Sequence, residues 1–364
     1  MKKFLYYIFL LIIPVISFAG CSGNDGDEEE ESNLITISAD KRKIQANGVD
    51  AVVLTVKKGN SDITSLSQIV IENENSEITK LNRGANEFTT VKPGKYILSA
   101  SYYEGETFLS ENSIEVEVTE TTETKFKHIL FAMQFTSVYC TYCPNLSVTL
   151  KTLQEDQYYN ERLAIASFHK DFNGVDPMTY KYTDTYYNNM GAVGLPSFFL
   201  DFNKNAGSNW VVSEVKKAID NRLKNSPTIC GVAIDTEFNE ETRALSVTSK
   251  VISDFDNSKY KIMVFVTEDN IKGRQDGQNE LIYYHQNVVR DMLQSGIWGD
   301  KLGEVEAGVE KVKKFSYKVP ATYVASEMRV IVCILNTLDG GVTYEVVNCN
   351  MCELGSSVDY QYKD

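Results

Sequence analysis

What this 364-residue chain lacks narrows the reading first. Basic residues number 36 against 50 acidic ones, and no basic cluster stands out beyond the N-terminus. With a net charge of −14 there is little to neutralise phosphates, which argues against nucleic-acid binding and leaves charge mainly to support solubility. Long apolar runs are missing as well. The run Phe4 to Ile16 is too short for a bilayer span of ~20 helical residues. Cysteine and histidine are sparse: no cysteine lies between Cys21 and Cys140, and the histidines are three. Residues 22–127 therefore have no thiol or imidazole chemistry to offer. The length itself implies two or three domains, with enough chain to bury real cores.

What is present begins at the N-terminus. Lys2 and Lys3 precede the apolar run, and Phe18-Ala19-Gly20-Cys21 follows it. Small residues before a cysteine resemble a bacterial lipobox, which implies a signal peptide at 1–20 and lipid attachment at Cys21. The alternative is an ordinary secretory signal with Cys21 as a bystander. Loss of Lys2 and Lys3 would take the net charge from −14 to −16. Stable anchoring takes more than one acyl chain, because one alone is marginal. Residues 21–33, with Glu28 to Glu31, form an acidic tether too polar to fold. It resembles the export signal of Bacteroidetes surface lipoproteins; a plain solvated spacer is the other reading. The expected location is the outer membrane, facing outward or toward the periplasm.

From 34 to 124 apolar residues alternate in short runs, such as Ile35–Ile37, Val52–Val56, Gln68–Ile71, Tyr96–Tyr102 and Ile114–Val118. Turn signals at Asn47-Gly48, Lys58-Gly59-Asn60, Arg83-Gly84 and Pro93-Gly94 separate them. This spacing predicts a β-sandwich, similar to the immunoglobulin-like modules of surface lipoproteins. A spacer is the expected role, with ligand recognition as the other.

The centre of the chain is Cys140-Thr141-Tyr142-Cys143-Pro144. It follows a β-forming run, Ile129 to Phe135, and precedes the helical pattern Leu146, Val148, Leu150, Leu153. Strand, two cysteines, then helix is the layout of a thioredoxin-type redox site. Cys140 would lie at the helix N-terminus, which favours a thiolate. Pro144 would fall within the first helical turn. Farther on, Gly194-Leu195-Pro196 precedes the apolar run Phe198–Leu200, as a cis-proline loop does in that fold. A strand at Leu163–Phe168, a helix near Pro177–Met190 and another at Val211–Leu223 complete a thioredoxin-like α/β domain at 125–227.

The resemblance implies Cys140 and Cys143 as the catalytic pair with Pro196, and substrate contacts from Leu195, Tyr139 and Tyr142. Six residues before Cys140 stands Gln134 in place of the usual carboxylate, and an amide cannot act as a base. Three readings stay open for the pair: a redox-active site, a stable disulfide on a binding scaffold, or a metal site with no obvious third ligand. His169, ending a strand, either tunes a thiolate or is a strand-end polar residue. His128 is assigned nothing.

The remainder, 228–357, reads as a second β-sandwich: Ile229–Ile234, Leu245–Ile252, Tyr260–Thr267, Lys313–Val319, Met328–Asn336 and Tyr344–Cys349, with a tail at 358–364. Between its strands lie Glu268-Asp269, Gln275-Asp276-Gly277, His285 with Val288-Val289-Arg290, Gly296 and Gly299. These resemble a Bacteroidetes outer-membrane lipoprotein family, named after a twenty-eight-kilodalton outer-membrane protein, that joins a thioredoxin-like Cys-x-x-Cys-Pro domain to such a sandwich. The resemblance covers about 125–355 and implies outer-membrane attachment and a receptor or adhesin role. His285 and Arg290 are expected on a loop-plus-helix insertion, either functional or packing it as a buried hydrogen-bonder and an ion-pair partner.

Setting Cys21 aside leaves an even six cysteines in an oxidising compartment. Cys230, Cys333, Cys349 and Cys352 then give a structural disulfide, or buried free thiols at Cys230 and Cys333. The expected architecture is multidomain α/β plus all-β. The expected function is thiol–disulfide exchange on protein substrates, against a non-enzymatic surface receptor. No cofactor or metal is expected. Partners are an unnamed protein and the membrane, reached through lipidated Cys21.

Overall fold

The computed structural model describes residues 34–121, 124–202, 210–226, 228–257, 259–278, 282–338 and 343–363. The signal peptide, Cys21 and the acidic tether lie outside the described residues. Among the described residues no helix is long and apolar enough to cross a membrane.

The N-terminal module is two β-sheets on one core. Ile35–Ala39 and Val52–Lys58 pair in one sheet; Ile114–Thr119, Gly94–Glu104 and Ser67–Asn73 lie side by side in the other. Alternate residues point inward, so Ile35, Ile37, Leu54, Val56, Ile69, Ile71, Leu98 and Val116 meet between the sheets. An Asn336 side-chain bond to the Gly48 carbonyl and a Lys259–Glu87 ion pair tie this module to the rest.

The remainder is organised by one eight-stranded sheet. Its order is Ser197–Leu200, Leu130–Thr136, Leu163–His169, Val288–Met292, Lys261–Glu268, Met328–Leu338 and Thr343–Glu353, with Asp300–Lys301 beside the fifth. The first strand runs antiparallel to Leu130–Thr136, which is parallel to Leu163–His169. The sheet takes strands from both sides of the boundary that the sequence places between 227 and 228. Its seam is narrow: Leu163–His169 meets Val288–Met292 in parallel at Ser167 and Val288.

Both faces of this sheet are covered, which explains why its strands read as continuous apolar runs. Phe131, Met133, Phe135, Phe265, Ile331 and Cys333 share one core beneath the short helix Thr183–Asn189. On the other face the helices Cys143–Glu155 and Val212–Asn225 bury Leu146, Leu150, Val215 and Ile219 against Leu130, Ala132 and Phe198. Farther along that face, Ile262, Val264 and Val330 pack on a four-stranded sheet containing Cys230–Asn239 and Ala244–Ser253. The C-terminal segment is bridged back through Phe126 and Tyr362.

Two expectations need correction. The insertion carrying His285 and Arg290 contains no helix among its described residues. It is a two-stranded hairpin, Ile271–Gly273 with Tyr283–His285, followed directly by the sheet strand Val288–Met292. The structural disulfide does not form: Cys230, Cys333, Cys349 and Cys352 are free and buried, the alternative held open for Cys230 and Cys333. Residues three apart in a strand face opposite ways, so Cys349 enters one core and Cys352 the other. Cys333 and Cys349 do stand opposite each other across the two last strands, on one face.

Candidate functional site

The strand Leu130–Thr136 ends where the two cysteines begin. Cys140 and Cys143 are joined by a disulfide with Cα atoms 5.4 Å apart, and the helix starts at Cys143 with Pro144 in its first turn. Cys140 therefore precedes the helix by one turn, and its carbonyl accepts the Cys143 N–H at 3.3 Å. Leu195–Pro196 is a cis peptide. Because Ser197 pairs with Phe135, Pro196 lies at the same end of the sheet as the disulfide. The bridge is enclosed: Cys140 is 2% exposed and Cys143 fully buried.

The expected substrate contacts divide. Tyr142 stands 71% exposed beside the bridge, and Leu195 is half-buried. Tyr139 is not open in this way. Its ring lies beneath the Arg274 guanidinium, 4.6 Å from the centroid, and against Gly174, where a Cβ would fall 2.8 Å from the ring. A side chain used on both sides has little surface left for a substrate.

Gln134, six residues before Cys140, turns its side chain to the helix that follows the disulfide. Its amide donates to Ser147 Oγ at 3.1 Å and accepts from Ser167 Oγ at 3.2 Å. Ser147 in turn donates to the Cys143 carbonyl at 3.4 Å. Nearby, His169 Nδ1 meets Asp176 Oδ2 at 2.8 Å, and the same oxygen accepts the Val138 N–H at 2.9 Å. Burial works against ionising Asp176, but His169 and the Met178 and Val138 amides outweigh it and hold its pKa below the ordinary carboxylate value. Asp176, an acidic residue in a loop without a recognisable motif, was missed in the sequence.

The hairpin docks on this same loop. Gln275 donates to the carbonyls of Ser137 at 3.1 Å and Cys140 at 3.0 Å, and the Asp276 N–H reaches the Val138 carbonyl at 2.8 Å. Gly277 has φ +83°, and a Cβ there would lie 2.1 Å from the Thr141 carbonyl oxygen. Only glycine fits so close an approach at positive φ. His285 donates from Nε2 to the Arg274 carbonyl at 3.0 Å, and its ring stands 5.1 Å from that of His169. Burial, then the neighbouring His169, pushes the His285 pKa down to about 4.

The other residues of the C-terminal pattern hold the hairpin's base. Arg290 pairs with buried Glu268 at 2.6 Å, and Asp269 accepts the Asn287 N–H while pairing with Arg329 at 2.7 Å. His285 and Arg290 are thus a buried hydrogen-bonder and an ion-pair partner. Between the hairpin and the helix Cys143–Glu155 lies a polar cleft of about 840 Å³, lined by Gln134, Ser147, Ser167, His169, Tyr283 and His285. Among the described residues no cluster of three His, Cys, Asp or Glu side chains offers a metal site.

This constellation can be set beside known proteins. Residues 183–355 match the family of outer membrane protein Omp28. The match spans the hairpin and its docking residues, and bears out the resemblance drawn from the Glu268 to Gly299 pattern. Among solved structures, HBP35 of Porphyromonas gingivalis aligns with a TM-score of 0.55 at 18% identity, covering 64% of this chain and 77% of that one, a likeness of fold. A domain of the outer membrane lipoprotein Omp28 from Porphyromonas gingivalis aligns at 20% identity over 36% of this chain and 92% of its own, with a TM-score of 0.25. No curated protein matches the chain.

Proposed function

We propose that this chain is an outer-membrane lipoprotein, anchored through Cys21, whose central unit is thioredoxin-like and exchanges the Cys140–Cys143 disulfide with those of polypeptide substrates. The observation that carries the reading is the closed bridge at a strand-to-helix junction, with Leu195-Pro196 at the same end of the sheet. Ser197–Leu200 pairs on one side only among the described residues, leaving an edge on which an extended substrate can add as a strand. Cys140 would attack the substrate disulfide and Cys143 resolve the mixed disulfide. The N-terminal immunoglobulin-like module would space this unit from the membrane, with surface exposure favoured by the acidic tether.

A second reading is favoured by the 2% exposure of Cys140 and the hold of Gln275 on its carbonyl. There the disulfide is a permanent staple and the protein a surface receptor. Equilibration of the full chain in glutathione buffers separates the two. A reduction potential within roughly −120 to −270 mV supports exchange, whereas one below about −300 mV marks a structural disulfide and ends that reading.

A further inference from the structure

The cleft between the hairpin and the helix Cys143–Glu155 stands apart from the disulfide chemistry, since neither Cys140 nor Cys143 lines it. Its floor is polar and deeply set: Thr136, His169 and Asn287 line it and are 4%, 1% and 6% exposed. Among the described residues the Thr136 hydroxyl, His169 Nε2 and the Asn287 side-chain amide have no hydrogen-bond partner, yet none of them is sealed from solvent. Asp176 holds the other ring nitrogen of His169 at 2.8 Å, which leaves Nε2 for the cleft. His285 repeats the arrangement, with Nε2 on the Arg274 carbonyl and Nδ1 open. Buried polar groups are costly to leave unpaired. Side chains set nine-tenths deep with open ends therefore mark a place where another polar group belongs.

The chemistry of the walls selects the ligand. Lys151 and Arg329 stand against Asp269 and Glu353, and Arg329 already pairs with Asp269 at 2.7 Å. With these charges balanced, the cleft has no field to concentrate a phosphate or a carboxylate. Burial pushes the His285 pKa down to about 4, so its imidazole is neutral and Nδ1 accepts. Opposite the hairpin, Gln154 and Asn160 present amides with no partner among the described residues, and an amide both donates and accepts. Tyr283 and Tyr284 bring phenol rings to the hairpin side, Tyr284 being 54% exposed. A sugar hydroxyl also donates and accepts, and the C–H face of a sugar ring can lie on the apolar body of a tyrosine. At about 840 Å³ the cleft has the size of a ligand site, with amides, hydroxyls and imidazoles where such sites are usually apolar.

We propose that this cleft is a binding site for a neutral oligosaccharide, held at its floor by Thr136, His169, His285 and Asn287 and at its walls by Gln154 and Tyr284. The proposal stands whether or not the disulfide turns over. An extended peptide is the poorer fit. Its side chains need apolar pockets, and Leu150 and Cys352 of the lining are already committed to the neighbouring cores.

The chain has three histidines, of which His169 and His285 line the cleft and His128 does not, so the imidazole ring signals report on the site directly. The test uses the full chain, with Cys21→Ser to prevent lipidation and histidine labelled at Cε1 for nuclear magnetic resonance. It is titrated with pools of di- to tetrasaccharides of glucose, mannose, galactose and N-acetylglucosamine, and separately with tri-alanine and inorganic phosphate. A saccharide pool is expected to shift the His169 and His285 signals with half-saturation below about 1 mM, leaving His128 in place. Tyr284→Ala and Gln154→Ala should each raise that concentration by roughly 3- to 10-fold, the share of one contact. Neither side chain is buried, so both variants should keep the His128 signal and the thermal midpoint of the parent. Three results overturn the proposal: no shift with any saccharide pool well above about 1 mM, a shift that both variants leave unaltered, or a shift with tri-alanine or phosphate alone. The last would make the cleft a peptide or an anion site.

Discussion

The side-chain amide of Gln275 donates to the backbone carbonyl of Cys140 at 3.0 Å, joining positions 135 apart in sequence. The same nitrogen also serves the carbonyl of Ser137, so one side chain satisfies two acceptors of the disulfide loop. Gln275→Ala leaves both without this partner. The expected loss is about 1 kcal/mol, the net worth of a lost hydrogen bond where each carbonyl keeps a backbone N–H partner, measured by urea unfolding. Reduction of the disulfide by dithiothreitol should quicken in parallel. A variant as stable and as slowly reduced as the parent would show that the contact holds nothing.

Gly277 tests the docking from the other side. Gly277→Ala places a methyl against the Thr141 carbonyl at a positive φ, so the hairpin must shift. A destabilisation of about 1–3 kcal/mol follows from the backbone strain alone. Limited proteolysis should then cut within 274–285, whereas an uncut, fully stable variant speaks against a tight fit.

Arg290 and Glu268 form a largely buried pair, with side chains 15% and 4% exposed. Removing only the cation strands a buried carboxylate, so Arg290→Ala should cost about 3–5 kcal/mol. The double change Arg290→Met with Glu268→Leu should recover much of that, because no charge is left unpaired. Thermal unfolding of the three proteins distinguishes this from simple loss of packing, in which the double variant falls further.

Acid should weaken the hairpin through His285. The unfolded histidine takes up its proton near pH 6.5, and the folded one only at about 4. Between these values the unfolded chain binds more protons, so stability is full above pH 6.5 and falls as pH drops toward 4. The loss approaches about 3 kcal/mol in total. His285→Gln should flatten this part of the stability profile, and an unaltered slope would assign it to other groups.

Cys230, Cys333, Cys349 and Cys352 should be silent to alkylating reagents in the native protein. Burial pushes the thiols of Cys230 and Cys349 far above their ordinary range and that of Cys352 up to about 11. Unfolding without reductant should expose four labelled sites by mass spectrometry. Fewer than four would reveal a disulfide in that set.

Much of this arrangement was legible in local signals. The run ahead of Cys140, the helix spacing of Leu146, Leu150 and Leu153, and the proline before Phe198 each follow from nearest-neighbour chemistry. The C-terminal strands were readable from their short β-forming apolar runs for the same reason. What remained hidden depends on distant pairing. Tyr283–His285 is three residues long and carries no periodicity, so the hairpin resembled part of a loop and helix. Asp176 sits in a turn whose residues give no hint that its carboxylate bonds both Val138 and His169. The placement of Val288–Met292 beside Leu163–His169 rests on contacts more than a hundred residues apart, and no local pattern encodes it.

That last strand has an evolutionary consequence. Val288–Met292 belongs by sequence to the C-terminal region, yet it pairs at Val288 with Ser167 of a strand from the central region. An ancestor that exchanged either region alone would have exposed an unpaired edge, the kind that recruits foreign strands and aggregates. Viable recombination is therefore expected at points outside the shared sheet. The two regions are then expected to be inherited together, whereas the N-terminal module, with its own separate core, could be exchanged without opening the shared sheet.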